Sequence, residues 1–412
     1  PSGTVTGDLN GEVPDLASVG DLLGMDLGGS AGFALHLSRE RTGQAATVDL
    51  RIEEAASELG NADRITLQGN VRGLFAKPAG AITARAEGIR TGGTRVDALD
   101  LAADGTVDDL SFHLQGSGEL GSPFRISTRG GIRRSASATR LALETLEGTI
   151  GPHNVRLAGP AEIHVQQQPR FRTPGLKLRL GEGSLSLEGA YGDEMDLGAH
   201  LEALPLSFLT LAGVPPLQGT VGGRMRVSGP PGAPRAEIEL TGQGVRPENP
   251  SLEHLPGFGV TVRASVEQDR LEGRLDVNGP DDTVPLTAAL EAPARVSLSP
   301  LSVRWPRDRG MHGRVAADLD LEPLPLWLAL EDQRMSGRLQ ADLSLSGSLA
   351  APEIRGEARV REGSLEVLRS GSIFRDVDLQ VRVDEHALVL EHGRARDGNG
   401  GSIEIEGRLR PL

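Results

Sequence analysis

The chain of 412 residues contains no cysteine. Disulfides, thiolate metal sites and cysteine nucleophiles are therefore excluded. Aromatic residues are nearly absent as well, at eight Phe, two Trp and one Tyr. The bulky side chains that fill an ordinary interior are thus in short supply. Hydrophobic residues as a whole reach only 38%, below the usual share of a packed domain. No run approaches the roughly 20 apolar residues that cross a bilayer as a helix. Lysine is confined to Lys77 and Lys177, and the formal net charge is −14. No basic stripe interleaves with aromatics, which excludes a nucleic-acid surface. The chain opens at Pro1-Ser2-Gly3 without a signal peptide, and reads as an internal piece of a longer protein or a mature form.

What the sequence does have is alternation. Leu35 and Leu37 alternate with polar residues, as do Val48, Leu50 and Ile52. The pattern recurs at Leu178 and Leu180, Leu185 and Leu187, Val227, Ile238 and Leu240, and Val260 and Val262. It continues through Leu339, Leu343 and Leu345, Ile354 and Val360, Leu379 and Val381, and Ile403 and Ile405. Successive side chains of a strand point to opposite faces, so each segment carries one apolar and one charged face. Gly 55 and Pro 26 supply the turns, with Asp104-Gly105, Gly130-Gly131 and Asn278-Gly279-Pro280 as separators. The charged residues are interspersed, which argues against disorder. Roughly 25 strands are expected by this rule. At about 4.8 Å per strand they would make a trough on the order of 120 Å long. The fold class is all-β: a long stacked antiparallel sheet curled into an open apolar groove, with a few short helical turns.

Those turns are expected at Asp15 to Leu27, Leu204 to Leu211, Leu324 to Leu328, and from Asn249-Pro250 to Pro256-Gly257. They are too few to cover such a sheet. Leu204-Pro205-Leu206 recurs as Leu324-Pro325-Leu326. Gly219, Gly229 and Pro234 then recur 118 residues on as Gly337, Gly347 and Pro352, with a related step at Gly73 to Pro78 and a weaker one at Gly118 to Pro123. Fixed-period self-similarity marks stacked supersecondary units. The chain divides on this basis into groove segments 1–203, 204–323 and 324–412.

With the segments from Gln218 to Gly242 and Ser336 to Gly363, and the closing Asp397-Gly398-Asn399-Gly400-Gly401 hairpin, the chain resembles the AsmA-like family, most closely its TamB branch. The resemblance implies a β-taco groove that shields phospholipid acyl chains between the inner and outer membranes. It also implies a periplasmic location, an inner-membrane anchor outside this chain, and an outer-membrane Omp85-type (TamA-like) barrel as a partner. The competing implication is a scaffold for outer-membrane protein assembly by β-strand templating.

From the residues alone, a curved sheet lined by Leu, Val, Ile and Ala is short of the bulk needed to fill itself to native density. Such a lining leaves dry apolar volume that suits hydrocarbon. The 23 aliphatic residues named above, from Leu35 to Ile405, are the candidate lining. No catalytic, metal or cofactor site is expected. The nine His lack ligand spacing, and Asp397 to Gly401 lacks an EF-hand's carboxylates. Gly181-Glu182-Gly183-Ser184 lacks the second glycine of a nucleophile elbow. Gly28-Gly29-Ser30-Ala31-Gly32 precedes no helix and so cradles no phosphate. A parallel β-helix is disfavoured, since there are only seven Asn and no short rung period.

Overall fold

The computed structural model describes residues 5–409 except 24–25, 41–42, 58–59, 75–76, 92–93, 136–137, 167–169, 213–215, 249–256, 280–284, 299–300, 323, 328–329, 331, 385–386 and 398–399. It divides into two units: Pro1–Tyr191 with Leu211–Gly213, and Gly192–Thr210 with Val214–Leu412.

In the first unit, β1 (Gly7–Val13) is followed by the helix α1 (Ala17–Leu23). Then come β2 (Leu27–Glu40), β3 (Gly43–Ser57), β4 (Gly60–Arg72), β5 (Ala79–Thr91), β6 (Thr94–Thr106), β7 (Asp109–Leu120), β8 (Ser122–Arg134) and β9 (Ala138–Ile150). Each pairs antiparallel with the next. The short strands β10 (His153–Leu157) and β11 (Ala161–Gln166) both bridge β9 to β12 (Arg170–Leu180). β13 (Gly183–Tyr191) completes the unit.

The second unit runs through β14 (Met195–Pro205), a 3-10 helix (Leu206–Ala212), β15 (Leu217–Gly229), β16 (Arg235–Pro247), β17 (Phe258–Glu267), β18 (Arg270–Asn278) and β19 (Leu286–Pro293). A separate hairpin, β20 (Arg295–Leu298) and β21 (Leu301–Arg304), interrupts the meander. The sheet resumes with β22 (His312–Asp320), the helix α2 (Leu324–Trp327), β23 (Gln333–Gly347), β24 (Pro352–Val367), β25 (Ser372–Asp384), β26 (Ala387–Asp397) and β27 (Ser402–Leu409). Among the described residues the strand registers are antiparallel, and β19 pairs directly with β22 across the hairpin. Within each unit, the first and last strands share no register among the described residues, so neither sheet closes into a barrel.

The chain exposes 26048 Å². A compact protein of 43.4 kDa exposes about 15,000 Å², and two separate globules of half that mass about 18,000 Å². The excess is explained by where burial occurs. Among the described residues, the buried apolar side chains sit mostly at strand ends and beneath turns: Ala45, Ala46, Met195, Leu204, Leu206, Ala292, Ala294, Met311 and Leu321. The middles of the strands are mostly half-buried or exposed, with Thr128 and Val155 among the exceptions.

The helical segments are smaller than their sequence patterns suggest. α1 covers only Ala17–Leu23, because Leu27 already opens β2 and Gly29 takes φ +104. Pro205 does not begin a helix. It pairs with Thr220 as the last residue of β14, and the 3-10 helix starts at Leu206. α2 is a single turn, closed by the Leu330 amide donating to the Pro325 carbonyl at 2.7 Å. The turn expected from Asn249-Pro250 to Pro256 lies outside the described residues. Two expected separators lie inside strands instead. Asp104-Gly105 belongs to β6 and Gly130-Gly131 to β8. At Gly130 an added Cβ would stand 2.1 Å from the Ala142 carbonyl oxygen and 2.9 Å from Phe112 Cζ, so the glycine makes room for the neighbouring backbone and a cross-strand ring.

A local unit recurs three times. After α1, the 3-10 helix and α2 comes a glycine in the left-handed region: Gly29 (φ +104), Gly219 (φ +112) and Gly337 (φ +111). Each lies at a register shift, opposite a second positive-φ residue: Glu54 (φ 53), Gly244 (φ 63) and Glu362 (φ 50). The chain entering the helix is tied to the bulge in two of them. The Leu16 amide donates to the Gly29 carbonyl at 2.8 Å, and the Leu321 amide to the Gly337 carbonyl at 2.9 Å. Bulges of this kind add one residue, bend the strand and increase twist.

The outer face is laced with cross-strand ion pairs. Arg338 Nε donates to Asp318 Oδ1 at 2.5 Å, and Arg314 Nη2 to Asp342 Oδ2 at 2.6 Å, both across β22 and β23. These hydrogen bonds, and the charge behind them, hold both carboxyls below the ordinary carboxylate range. The pairs are solvent-exposed and so weak individually.

Two outcomes are expected. Gly337→Ala should lose about 1–3 kcal/mol, since φ +111 is strained for any Cβ and the Arg361 carbonyl oxygen would lie 2.8 Å away. Gly175→Ala, with nothing within 4 Å, should melt like the parent in the same thermal unfolding experiment. For pH, depressed folded-state carboxyls contribute stability above the unfolded value of 3.8, lost as pH falls through the lower folded values. Thermal melts should thus show a drop below about pH 4 that is smaller in Asp318→Asn/Asp342→Asn protein.

Candidate functional site: an uncharged face left uncovered

Ladder register decides which alternating residues share a surface, because directly paired residues point the same way. In the first unit one row reads Gly11, Phe33, Leu50, Leu67, Ala84, Leu101, Leu114, Thr128 and Leu146 across β1 to β9. The adjacent row reads Leu9, Leu35, Val48, Gly69, Ile82, Ala103, Phe112 and Gly130. Flanking rows carry Leu37 and Ala46 on one side, and Ala31, Ile52 and Ile65 on the other. Leu180, through Val155, joins the row of Gly148 and Ile126, and Leu178 pairs with Leu185 beside it. Leu187, paired with Leu176, lies next along the same face.

The second unit repeats the arrangement. Gly223, Leu240, Val262, Leu275, Ala288, Val315, Leu343, Gly356, Val383 and Leu388 form one row. A neighbouring row holds Met225, Ile238, Ala264, Leu290, Leu345 and Ile354, linked through Gly273 and Gly313. On the other side run Val221, Val260, Val277, Leu286, Ala317, Ala341, Ala358, Val381 and Leu390, linked through Gly242. Val227 heads a further row with Ala236 and Val266, and Leu339, Val360 and Leu379 form another that reaches Ile405 through Gly393. Ile403 stands beside Ile405 on β27.

All 23 aliphatic positions singled out from the sequence therefore lie on the apolar face of their own unit. These rows contain no charged side chain. Thr128, the one hydroxyl in the first-unit row above, turns its Oγ1 to the Thr145 carbonyl at 2.8 Å. Size also alternates across the ladders. Phe33 lies over Gly11, where a Cβ would meet Phe33 Cζ at 2.5 Å, and Gly116 is flanked by Leu99 and Ile126. Periodicity alone shows which residues alternate; the pairing of large with small is visible only in the register.

The face is only partly covered. Ala46, Val155, Leu180 and Val221 on it are buried and most of its residues are half-buried, whereas Leu9, Ile82, Leu290, Val315, Ile354, Leu388, Ile403 and Ile405 are exposed. Phe171 and Tyr191 stack at one end of it with centroids 5.4 Å apart. The opposite face is polar, and a recess of about 390 Å³ there is lined by Thr66, Gln68, Arg85, Asp100, His113 and Gln115 among others. Among the described residues, no group of three or more His, Asp or Glu could hold a metal, and no helix is long and apolar enough to cross a membrane. His254 and His386 lie outside the described residues. The loop from Asp397 closes as a hairpin, with the Asp397 amide donating to the Gly401 carbonyl at 2.9 Å.

Residues 123–281 match the family described as TamB, N-terminal domain. No curated protein and no solved structure matches the chain. The matched region includes β8 to β18 and so spans parts of both units, each an open antiparallel sheet with an uncharged face. Over these residues the chain is similar to the TamB family.

Proposed function

We propose that the uncharged face is a conduit that shields phospholipid acyl chains during transfer between the inner and outer membranes. The observation that carries this reading is the run of cross-strand rows that hold only Gly, aliphatic, Met, Phe and Thr residues and stay for the most part half-buried or exposed. Exposed apolar patches beyond a few hundred Å² mark binding surfaces. Each CH₂ removed from water contributes roughly 0.8 kcal/mol, so a sixteen-carbon tail gains on the order of 10 kcal/mol over solution. Relative to a bilayer the gain is close to zero, because both surroundings are apolar. A tail is thus held without being trapped and can slide from row to row. Head groups would remain in water beyond the rim, where the polar outer face keeps the protein solvated.

On this reading the chain works in the periplasm, tethered through an inner-membrane anchor outside it, with an outer-membrane Omp85-type (TamA-like) barrel as its partner. The segments beginning near 204 and 324 would be successive groove repeats, each opened by a short helix and a glycine bulge. A second reading is assembly of outer-membrane proteins by strand templating. It draws on the open antiparallel sheets, since sheet edges recruit strands.

Native mass spectrometry of protein purified from cells should find bound phospholipid. Leu343→Asp/Leu345→Asp should remove it and block transfer with far-UV circular dichroism unchanged. Ser344→Asp, on the opposite face, should retain it. Lipid-free parent protein would sink the conduit. A photocrosslinker at Leu343 that captures barrel proteins instead of lipid would favour assembly.

A further inference from the structure

We propose that the β20–β21 hairpin and the loop after it form a docking element for an anionic phospholipid surface. Among the described residues, only these two strands pair outside the main ladders. The chain departs after β19, makes the hairpin, and returns as β22, so that β19 and β22 pair as if nothing lay between them. The insertion is therefore not needed to continue the sheet.

Its chemistry differs from the rest of the chain. In the hairpin, Arg295 and Arg304 pair on one face, while Val296, Leu298 and Val303 alternate onto the other. Beyond it run Trp305-Pro306-Arg307-Asp308-Arg309. From 294 to 310 there are four arginines and one acid, Asp308, within a chain of net charge −14. Arg295 is engaged, its Nε donating to Asp269 Oδ2 at 2.7 Å. Arg304, Arg307 and Arg309 are exposed and pair with no acid among the described residues. Val303 is 53% exposed and Trp305 46%.

A second loop joins the patch. The Ala350 amide donates to the Arg307 carbonyl at 3.0 Å, and Gly310 bridges to Ser348. This places the β23–β24 turn, with Leu349 46% exposed, beside the loop at Arg307 and Gly310 that follows Trp305. The patch is also anchored. Ala294 and Met311, where the chain leaves and rejoins the sheet, are 1% and 5% exposed, and the Leu298 amide donates to the Pro231 carbonyl at 2.8 Å.

A patch that joins an exposed indole, exposed Val303 and Leu349, and three arginines without an acid partner among the described residues has the composition of a membrane-interface contact. The indole sits at head-group depth while arginines meet phosphates. The charge selects an anionic surface: the whole chain is repelled by one, so attraction must come from this cluster. The proposal concerns where a bilayer touches the rim of the second unit. It does not depend on the uncharged face carrying lipid.

The test uses the full chain with vesicles of pure phosphatidylglycerol or pure phosphatidylcholine, following tryptophan emission and co-sedimentation. The expected result is a blue shift and sedimentation with phosphatidylglycerol only, both weakened by salt. Arg304→Gln/Arg307→Gln/Arg309→Gln should weaken binding about a hundredfold, at roughly 1 kcal/mol per arginine near the surface. Trp305→Phe should abolish the spectral shift. Leu343→Asp/Leu345→Asp should bind vesicles like the parent, which separates this proposal from the conduit reading. Should a variant fold poorly, quenching of parent tryptophan emission by brominated phosphatidylglycerol reads the same contact. Equal binding to both lipids, binding indifferent to the three arginines, or a shift that survives Trp305→Phe would each overturn it.

Discussion

The register of antiparallel pairing is the constraint on which the rest of this molecule depends. Alternation gives every strand an apolar side, but only consistent pairing makes those sides one surface. A slip of one residue between β6 and β7 would bring Asp100 or Ala102 into the row now held by Leu101 and Leu114. Register across the first unit holds Leu50, Leu67, Leu101 and Leu114 in line, and in the second Leu240, Val262, Leu275 and Leu343. The outer-face pairs, such as Arg85 with Asp100 and Arg226 with Asp196, agree with that register from the other side. Opposite charges meet across strands only when the ladder is correctly set.

An uncharged face that stays in water is a thermodynamic burden, and the fold limits it without removing it. Turns and short helices cover the strand ends, where Leu204, Leu206, Val221 and Leu321 are buried. Glycines opposite Phe33 and Phe112 let large rings lie down over the neighbouring strand instead of standing into solvent. What remains open runs along the strand centres. That partly uncovered strip is what the proposed conduit rests on.

The bulge glycines show how repetition is written at two levels. Leu204-Pro205-Leu206 and Leu324-Pro325-Leu326 are legible as text, and Gly219 and Gly337 follow them with nearly equal backbone angles. The first instance, around Asp15, Leu16 and Gly29, carries no such signature. It shares only the glycine, the opposing left-handed residue and the amide of Leu16 on the Gly29 carbonyl. Similar side chains are not required for that geometry, so sequence comparison passes over it. The same limit explains Gly130-Gly131: a glycine pair in a turn and a glycine beneath a ring look alike until the neighbouring strand is known.

The fold class, the division of each strand into two faces and the membership of the apolar set were determined by the sequence itself. Side-chain direction in an extended chain alternates locally and needs no partner to be read. Strand neighbours, the three register shifts after the helices, and the departure of the β20–β21 hairpin were decided by tertiary structure. Each depends on contacts between residues distant along the chain, as between Leu286 and Ala317 across the hairpin. Trp305 is the sharpest case. In the sequence it is one aromatic between two arginines; its exposure, and the meeting of its loop with the Leu349 turn at Arg307, appear only in the fold.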